Sequence, residues 1–205
     1  MSVVMVTDPT WAAEISSRRM GTDANRWSEV WNGVLVMPTL PNDQHQEIQN
    51  RLQYVLTELH EMKGIGKVRG GVNVTDSDEG WLRNHRCPDV VLYLADNPAE
   101  NCGTHWVGGP DFLVEIISPG DLAWDKLEFY AEVGTREVLI VDRDPWRLEL
   151  YQLKDGVLEL AGESNPDGSS VLRSGVMPLT FELQPGTPRP TIHMTHTESG
   201  QTWSA

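Results

Sequence analysis

"DFLVEIIS", residues 111–118, decides how this chain folds. Asp111 to Ile117 form a nearly continuous apolar run, the pattern of a strand buried on both faces. One carboxylate, Glu115, interrupts it. The next stretch, "PGDLAWDKLEFY" (119–130), predicts a turn and then a helix over 121–133 that stops near Gly134. Lys126 lies in that helix. Its neighbours three and four residues away are Leu122, Ala123, Phe129 and Tyr130, all apolar, so Lys126 falls on the inward stripe. The helix directly follows the Glu115 strand and must fold back over the sheet, which can bring the lysine to the carboxylate.

Downstream, "REVLIVDRD" (136–144) reads as a central strand, and "RLELYQLKDGVLELAGE" (147–163) as a hairpin turning at Asp155-Gly156. Further strand runs between Val171 and Leu183. The Pro/Thr/Ser-rich stretch from Pro185 is expected to be loosely ordered. Upstream, strands are expected at 67–75 and 88–94, with a loop at 95–110, "ADNPAENCGTHWVGGP". A helix is expected from Asp43 to Lys63, started by Pro41-Asn42-Asp43 and stopped by Gly64. Ile48, Leu52, Val55, Leu56, Leu59 and Met62 form its buried stripe, which His45 extends toward the helix start. "RWSEVWNGVLVMP" (26–38) is a hairpin on the type I′ turn Asn32-Gly33. It sets Trp27, Glu29 and Trp31 on one face with Val34 and Val36. A short amphipathic helix precedes it at 8–20. The expected division is an N-terminal helical extension over 1–25, a main domain over 26–184 and a tail over 185–205. Strands mixed with two main helices give an α/β or α+β fold with helices on the faces of the sheet.

The formal net charge is −14, with 30 acidic residues against 16 basic. A nucleic-acid partner would then be held through a local basic patch, through a metal that neutralises charge, or weakly. Lys63, Lys67, Arg69, Arg83 and Arg86 cluster in sequence and could form such a patch or an ordinary solvated edge. Two cysteines cannot build a disulfide framework, which points to a reducing compartment. The N-terminus lacks the basic start and long apolar core of a signal peptide. No run is long enough to span a membrane, so a soluble cytoplasmic protein is expected.

The candidate chemistry lies on two strands. In "CPDVVLYL" (87–94), Asp89 points with Val91 and Tyr93; in the strand quoted first, Glu115 points with Leu113 and Ile117. A buried carboxylate is expensive to desolvate, and two on adjacent strands repel unless a cation lies between them. A hard divalent ion with oxygen ligands, Mg²⁺ or Mn²⁺, meets that need. Such an ion lowers the pKa of a bound water, and a lysine stabilises the charge that develops on phosphorus. The set therefore points to metal-dependent phosphodiester hydrolysis. Each member has a plainer reading. Lys126 could snorkel along an apolar surface, Glu29 could be a rim or salt-bridge residue, and His45 could be a half-buried core histidine. His85, Cys87, Cys102 and His105 offer ligand types that zinc accepts. Their spacing is not a common zinc-finger one and Cys87 opens a strand, so no zinc site is expected from that set. The eight tryptophans are scattered and read as packing residues.

These motifs resemble the PD-(D/E)XK nuclease superfamily, and most of all its Uma-type family of predicted restriction endonucleases. The ordered set runs over about residues 26–155: Glu29 with Gly33, His45, Pro88-Asp89, Glu115 with Ser118-Pro119, and Lys126 with Tyr130. The segment "YAEVGTREVLIVDRDPWRLELYQL" also looks like the family's. The resemblance implies a restriction-endonuclease-like mixed sheet flanked by helices, with an N-terminal hairpin and a C-terminal β-meander. It implies Asp89, Glu115 and Lys126 as catalytic residues, supported by Glu29, His45 and Tyr130. The metal, Mg²⁺ or Mn²⁺, would be held by Asp89, Glu115 and the Ile116 carbonyl. The superfamily's usual lysine position holds Ile117 here, so the resemblance implies that Lys126 substitutes from the helix. Asp121 and Asp125 compete for the place of the family's helix aspartate. DNA is the implied partner, and a homodimer is implied by analogy. Two function classes stay open. One is a Mg²⁺-dependent DNA endonuclease, favoured by the Asp89, Glu115 and Lys126 set, with RNA or another phosphodiester as alternative substrates. The other is a catalytically inactive binding module, favoured by the acidic charge.

Overall fold

The structure, a computed structural model, describes residues 3–19, 27–167 and 170–205. The boundary expected at 25/26 lies outside the described residues. In chain order the elements are β1 (Val4–Val6), α1 (Pro9–Arg19), β2 (Glu29–Trp31), β3 (Val34–Met37), α2 (Asp43–Leu56), β4 (Gly66–Gly70), β5 (Asn73–Thr75), β6 (His85–Arg86) and β7 (Val90–Leu94). There follow β8 (Glu100–Asn101), β9 (His105–Val107), β10 (Phe112–Ile116), α3 (Leu127–Glu132), β11 (Glu137–Arg143), β12 (Trp146–Lys154) and β13 (Val157–Ser164). The last four are β14 (Leu172–Arg173), β15 (Leu179–Gln184), β16 (Thr191–His196) and β17 (Thr202–Ser204).

Among the described residues the strands form three sheets. The central sheet runs β13-β12-β11-β10-β7-β4. The Glu115 strand, β10, lies inside it, parallel to β11 and antiparallel to β7. All five of its residues are buried. One sheet face packs Val90, Leu92, Phe112, Val114 and Ile116 against the α2 stripe and against β15–β17. The other face packs Val91, Tyr93 and Leu113 against Phe129 and Tyr130 of α3. Glu115 belongs to a strand with apolar cover on both faces, so its charge cannot escape to solvent by a small shift; Asp89 sits just ahead of β7 and is partly buried. The mixed α+β class expected from the sequence is the one observed.

The hairpin tips follow turn chemistry. Asn32 (φ 49) and Gly33 (φ 89) are both left-handed, as are Asp155 (φ 49) and Gly156 (φ 83), which a type I′ turn requires. Elsewhere tertiary contacts override local composition. The stretch 67–75 is not one strand: β4 joins the central sheet and β5 the N-terminal one, with Gly71 (φ 61) between them. Residues 95–110 are not all loop, because β8 and β9 form there. β9 runs parallel to β5, and its Trp106 stacks on Tyr93 with ring centroids 3.9 Å apart. The helix from Asp43 ends its regular part at Leu56 and widens into a π-helical turn, Thr57–Glu61. The helix expected over 121–133 starts later, as a 3₁₀ turn Ala123–Lys126 leading into α3. The Asp121 carboxylate accepts the Ser118 and Leu122 N–H groups, closing a separate turn first.

The largest departure is the segment after Pro185. It is not loose: β16 and β17 extend a sheet with β14 and β15. Ile192 and Met194 are buried in the main core. Arg189 reaches Glu47 at 3.0 Å and the Trp203 indole donates to Glu58 at 3.1 Å, tying the segment to α2 and to the turn Thr57–Glu61 that follows it. The signal was the alternation Thr191-Ile192-His193-Met194-Thr195, a period-two strand pattern inside a turn-rich composition. Ile192 and Met194 alone contribute roughly 3–6 kcal/mol by burial, against a typical total of about 5–15 kcal/mol. A chain ending at Pro185 is therefore expected to lose most of its stability. An unchanged urea midpoint in the shortened chain would show that the segment is dispensable.

Candidate functional site

Asp89 sits just ahead of β7, behind Pro88. Its backbone N–H donates to the Val114 carbonyl (3.1 Å), and its carboxylate Oδ2 accepts the Ile116 N–H (2.7 Å). Asp89 thus grips the residues on either side of Glu115. Glu115 points to the α3 face. There the Lys126 ammonium lies 3.1 Å and 3.2 Å from its two oxygens, and the Tyr130 hydroxyl donates to Oε1. The same ammonium lies 3.0 Å from Glu29 Oε1. Glu29 in turn accepts from the Cys87 N–H (2.9 Å) and the Trp31 indole (2.7 Å). Lys126 does not snorkel: it is 7% exposed, and its charged head points into the protein.

His45 stands in the first turn of α2, whose Asn42 cap accepts its N–H at 2.9 Å. Its Nε2 is 3.3 Å from Asp89 Oδ2, while its buried Nδ1 finds no hydrogen-bond partner among the described residues. One pocket is lined by Glu29, His45, Asp89, Glu115, Ile116, Asp121 and Lys126. Asp121, left open against Asp125 in the sequence, is the one that reaches this pocket; Asp125 is exposed. Glu29, His45, Asp89, Glu115, Ile116 and Lys126 all line the pocket, and Tyr130 stands behind Glu115.

Three neighbours carried no sequence signal that tied them to this pocket. Gln49 donates to the Asp89 carbonyl (2.7 Å), fixing the backbone of that carboxylate. Arg143 donates to the Ile117 carbonyl (2.8 Å) and to Asn42 Oδ1 (2.9 Å), joining the end of β10 to the start of α2. Arg86 is wedged between the rings of Trp31 (4.5 Å) and Phe129 (4.2 Å). Gln49 is on a helix face that reads as polar, and the two arginines are far from their partners along the chain. The five basic residues of the 63–86 window do not share one surface role. Arg69 pairs with Glu61 (2.8 Å), Lys67 lies over Trp106 (5.5 Å), and Arg86 is buried.

The charges do not balance. Glu29, Asp89, Glu115 and Asp121 face one ammonium in this pocket. Burial pushes the Glu115 carboxyl up to about 8; Lys126 opposes this, while Asp89 and Glu29 add to it. Burial also works to raise Glu29, but Lys126, the Cys87 N–H and the Trp31 indole hold it below the usual carboxylate range. Burial works to lower Lys126, and Glu115 and Glu29 lift it well above the usual lysine value. A surplus of buried carboxylate oxygen is the donor set of a hard divalent cation. The two strand carboxylates and the Ile116 carbonyl fit that role.

The Glu115 shift has a measurable consequence. From about pH 4.5, its ordinary value, to about pH 8, the folded chain keeps a proton that the unfolded chain has released. Stability without divalent cations is therefore expected to fall as pH rises through that window, by up to about 1.4 kcal/mol per pH unit. Urea midpoints in chelator at pH 5, 6.5 and 8 check this. The slope is expected to flatten in Glu115→Gln; equal slopes in both proteins would show that the residue is already ionised in the fold.

A family described as "Uma2: Putative restriction endonuclease" matches residues 18–185. Among solved structures, a crystal structure described as a putative nuclease belonging to DUF820, from Anabaena variabilis ATCC 29413, shares the fold at a TM-score of 0.58. It is 19% identical in sequence, and the likeness covers 72% of this chain and 80% of that one. No curated protein matches.

Proposed function

The chain belongs to the Uma2 family of restriction-endonuclease-like proteins, and from that premise we propose that it hydrolyses DNA phosphodiester bonds with Mg²⁺ or Mn²⁺. The observation that carries this reading is the Lys126 ammonium, buried between Glu115 and Glu29 in the pocket that Asp89 also lines. A buried charge cluster costs desolvation that packed hydrocarbon would avoid, which favours a functional use over a structural one.

Asp89, Glu115 and the Ile116 carbonyl would hold the ion. When bound, it would supply a water of lowered pKa and charge neutralisation at the phosphate. The protein's own groups do the rest. Lys126 offers a fixed ammonium to the negative charge that builds on the phosphoryl oxygens. Tyr130 holds the Glu115 carboxylate in one orientation, and Glu29 holds the far side of Lys126. His45 and Gln49 restrain Asp89. Because the surface is strongly acidic, the neutralised pocket has to supply much of the attraction for DNA. A homodimer that presents one such site to each strand of a duplex forms part of this reading.

Among the described residues no helix is long and apolar enough to cross a membrane. The test is incubation of the purified chain with supercoiled plasmid and Mg²⁺ or Mn²⁺. Nicked and linear products are expected, and their loss on addition of EDTA. Cleavage of a single-stranded RNA but not of the plasmid would move the substrate class. Binding of DNA without any cleavage would leave the inactive binding module, which the net charge of −14 favours.

A further inference from the structure

A second group of chemically competent side chains lies away from the carboxylate pocket. Asp78 is in the turn between β5 and β6. Cys102 and His105 flank the tight turn between β8 and β9. One ligand atom from each lies within 4.8 Å of the others, and among the described residues this is the only such group of histidine, cysteine and carboxylate. His105 Nε2 is 2.9 Å from Asp78 Oδ1.

The histidine is preset. Its Nδ1 lies 3.0 Å from Thr104 Oγ1, and its ring stacks on Trp81 with centroids 4.8 Å apart and planes 15° apart. Outer contacts of this kind fix which nitrogen points at a metal and how the ring is turned. The turn is preset as well. Gly103 takes φ 87, where its N–H donates to Asn101 Oδ1 (2.8 Å), and the Cys102 N–H donates to the His105 carbonyl (3.0 Å). A residue with a Cβ is strained in that conformation. The result turns Cys102 and His105 to the same side, opposite Asp78. Parallel pairing of Asn73 with His105 holds the two segments in register.

We propose that Asp78, Cys102 and His105 form a zinc site, distinct from the carboxylate pocket, with a fourth position open to water. A thiolate, an imidazole and a carboxylate together select a borderline-soft ion, not Mg²⁺ or Ca²⁺. Zinc bonds of about 2.0–2.1 Å to nitrogen and oxygen place tetrahedral N and O ligands about 3.3 Å apart. The existing 2.9 Å contact needs to open only slightly, and the exposed Asp78 side chain has room to move. Binding sends the Cys102 thiol proton to solvent. The four-residue set seen in the sequence is not the one used. The two His85 nitrogens lie against the Trp81 carbonyl (2.7 Å) and the Ser28 carbonyl (3.3 Å), and Cys87 is buried beside Glu29. Asp78 takes their place. The ion would fasten the 76–84 segment, which leads directly into β6 and on to Asp89, onto the β8–β9 turn.

The experiment counts metal, not activity. The purified chain is stripped with chelator, equilibrated with Zn²⁺ in the presence of millimolar Mg²⁺, desalted and assayed by inductively coupled plasma mass spectrometry. Co²⁺ is added in parallel to read thiolate charge-transfer absorption. About one zinc per chain, a raised Tm and the charge-transfer band are expected. Cys102→Ser is expected to weaken zinc binding by at least about tenfold and to remove the band. Because Cys102 is half-buried outside the core, this variant keeps its fold, and the metal-free Tm verifies that. His105→Gln is expected to lose zinc as well. Asp89→Asn is expected to keep it, which separates this site from the carboxylate pocket whether or not the chain cuts DNA. Negligible zinc, zinc undiminished in Cys102→Ser, or zinc lost in Asp89→Asn would each overturn the assignment.

Discussion

Asp89→Asn is expected to lower metal-dependent plasmid cleavage by at least about 10³-fold, equivalent to roughly 4 kcal/mol of transition-state stabilisation. The substitution keeps the shape of the side chain and removes its charge. An amide oxygen in place of Oδ2 can still accept the Ile116 N–H, the 2.7 Å contact that joins β7 to β10. The Gln49 bond is to the Asp89 backbone carbonyl and is untouched. The fold is therefore expected to persist, with a Tm close to that of the parent, while one of two strand carboxylates available to a cation is gone. Initial nicking rates at saturating Mn²⁺, paired with thermal melts, provide the measurement. Activity within about tenfold of the parent at unchanged Tm would mean that the acid is a structural staple and that cleavage, if any, is centred elsewhere.

Lys126→Met is expected to cost both stability and activity. Methionine matches the length and apolar stem of lysine, so packing against Tyr130 and Ala123 changes little. The ammonium, however, serves Glu115 and Glu29 at once, at 3.1 Å and 3.0 Å. Above about pH 8, where Glu115 is ionised in the fold, removal of the ammonium leaves two buried carboxylates facing each other without a cation, and breaking such a buried pair costs about 3–5 kcal/mol. The cleavage rate is expected to fall by about 10²–10³-fold through loss of charge stabilisation at the phosphate. The two effects can be separated. Adding Glu115→Gln to Lys126→Met removes one stranded charge, so the double variant is expected to be more stable than Lys126→Met alone by at least about 1 kcal/mol. It is expected to remain inactive. A double variant less stable than the single one would show that Lys126 matters for its hydrocarbon contacts and not for the charge cluster.

Much of this architecture was legible along the chain because it rests on short-range periodicity. A type I′ turn needs two left-handed residues, so Asn32-Gly33 and Asp155-Gly156 announced their hairpins. Strand alternation placed Glu115 with Leu113 and Asp89 with Val91, on the face that α3 covers. Helical spacing placed Lys126 inward. Other features depend on segments that meet only in the folded chain. Composition marked residues 185–205 as loose, yet β16 is ordered because α2 and β15 bury Ile192 and Met194. Residues 95–110 carried turn chemistry throughout, yet β9 forms because β5 offers it an unpaired edge.

The same division runs through the two sites. Residue type and spacing could mark Asp89, Glu115 and Lys126 as carrying charge where hydrocarbon was expected. That one ammonium bridges Glu115 and Glu29, separated by 86 positions in the chain, follows from how the N-terminal hairpin docks on the central sheet. Likewise the turn bearing Cys102 and His105 was visible, but its partner Asp78 was not. Local propensity acts over a few residues, whereas a ligand set or an ion cluster is closed by long-range packing, and no local pattern encodes which distant side chain completes it.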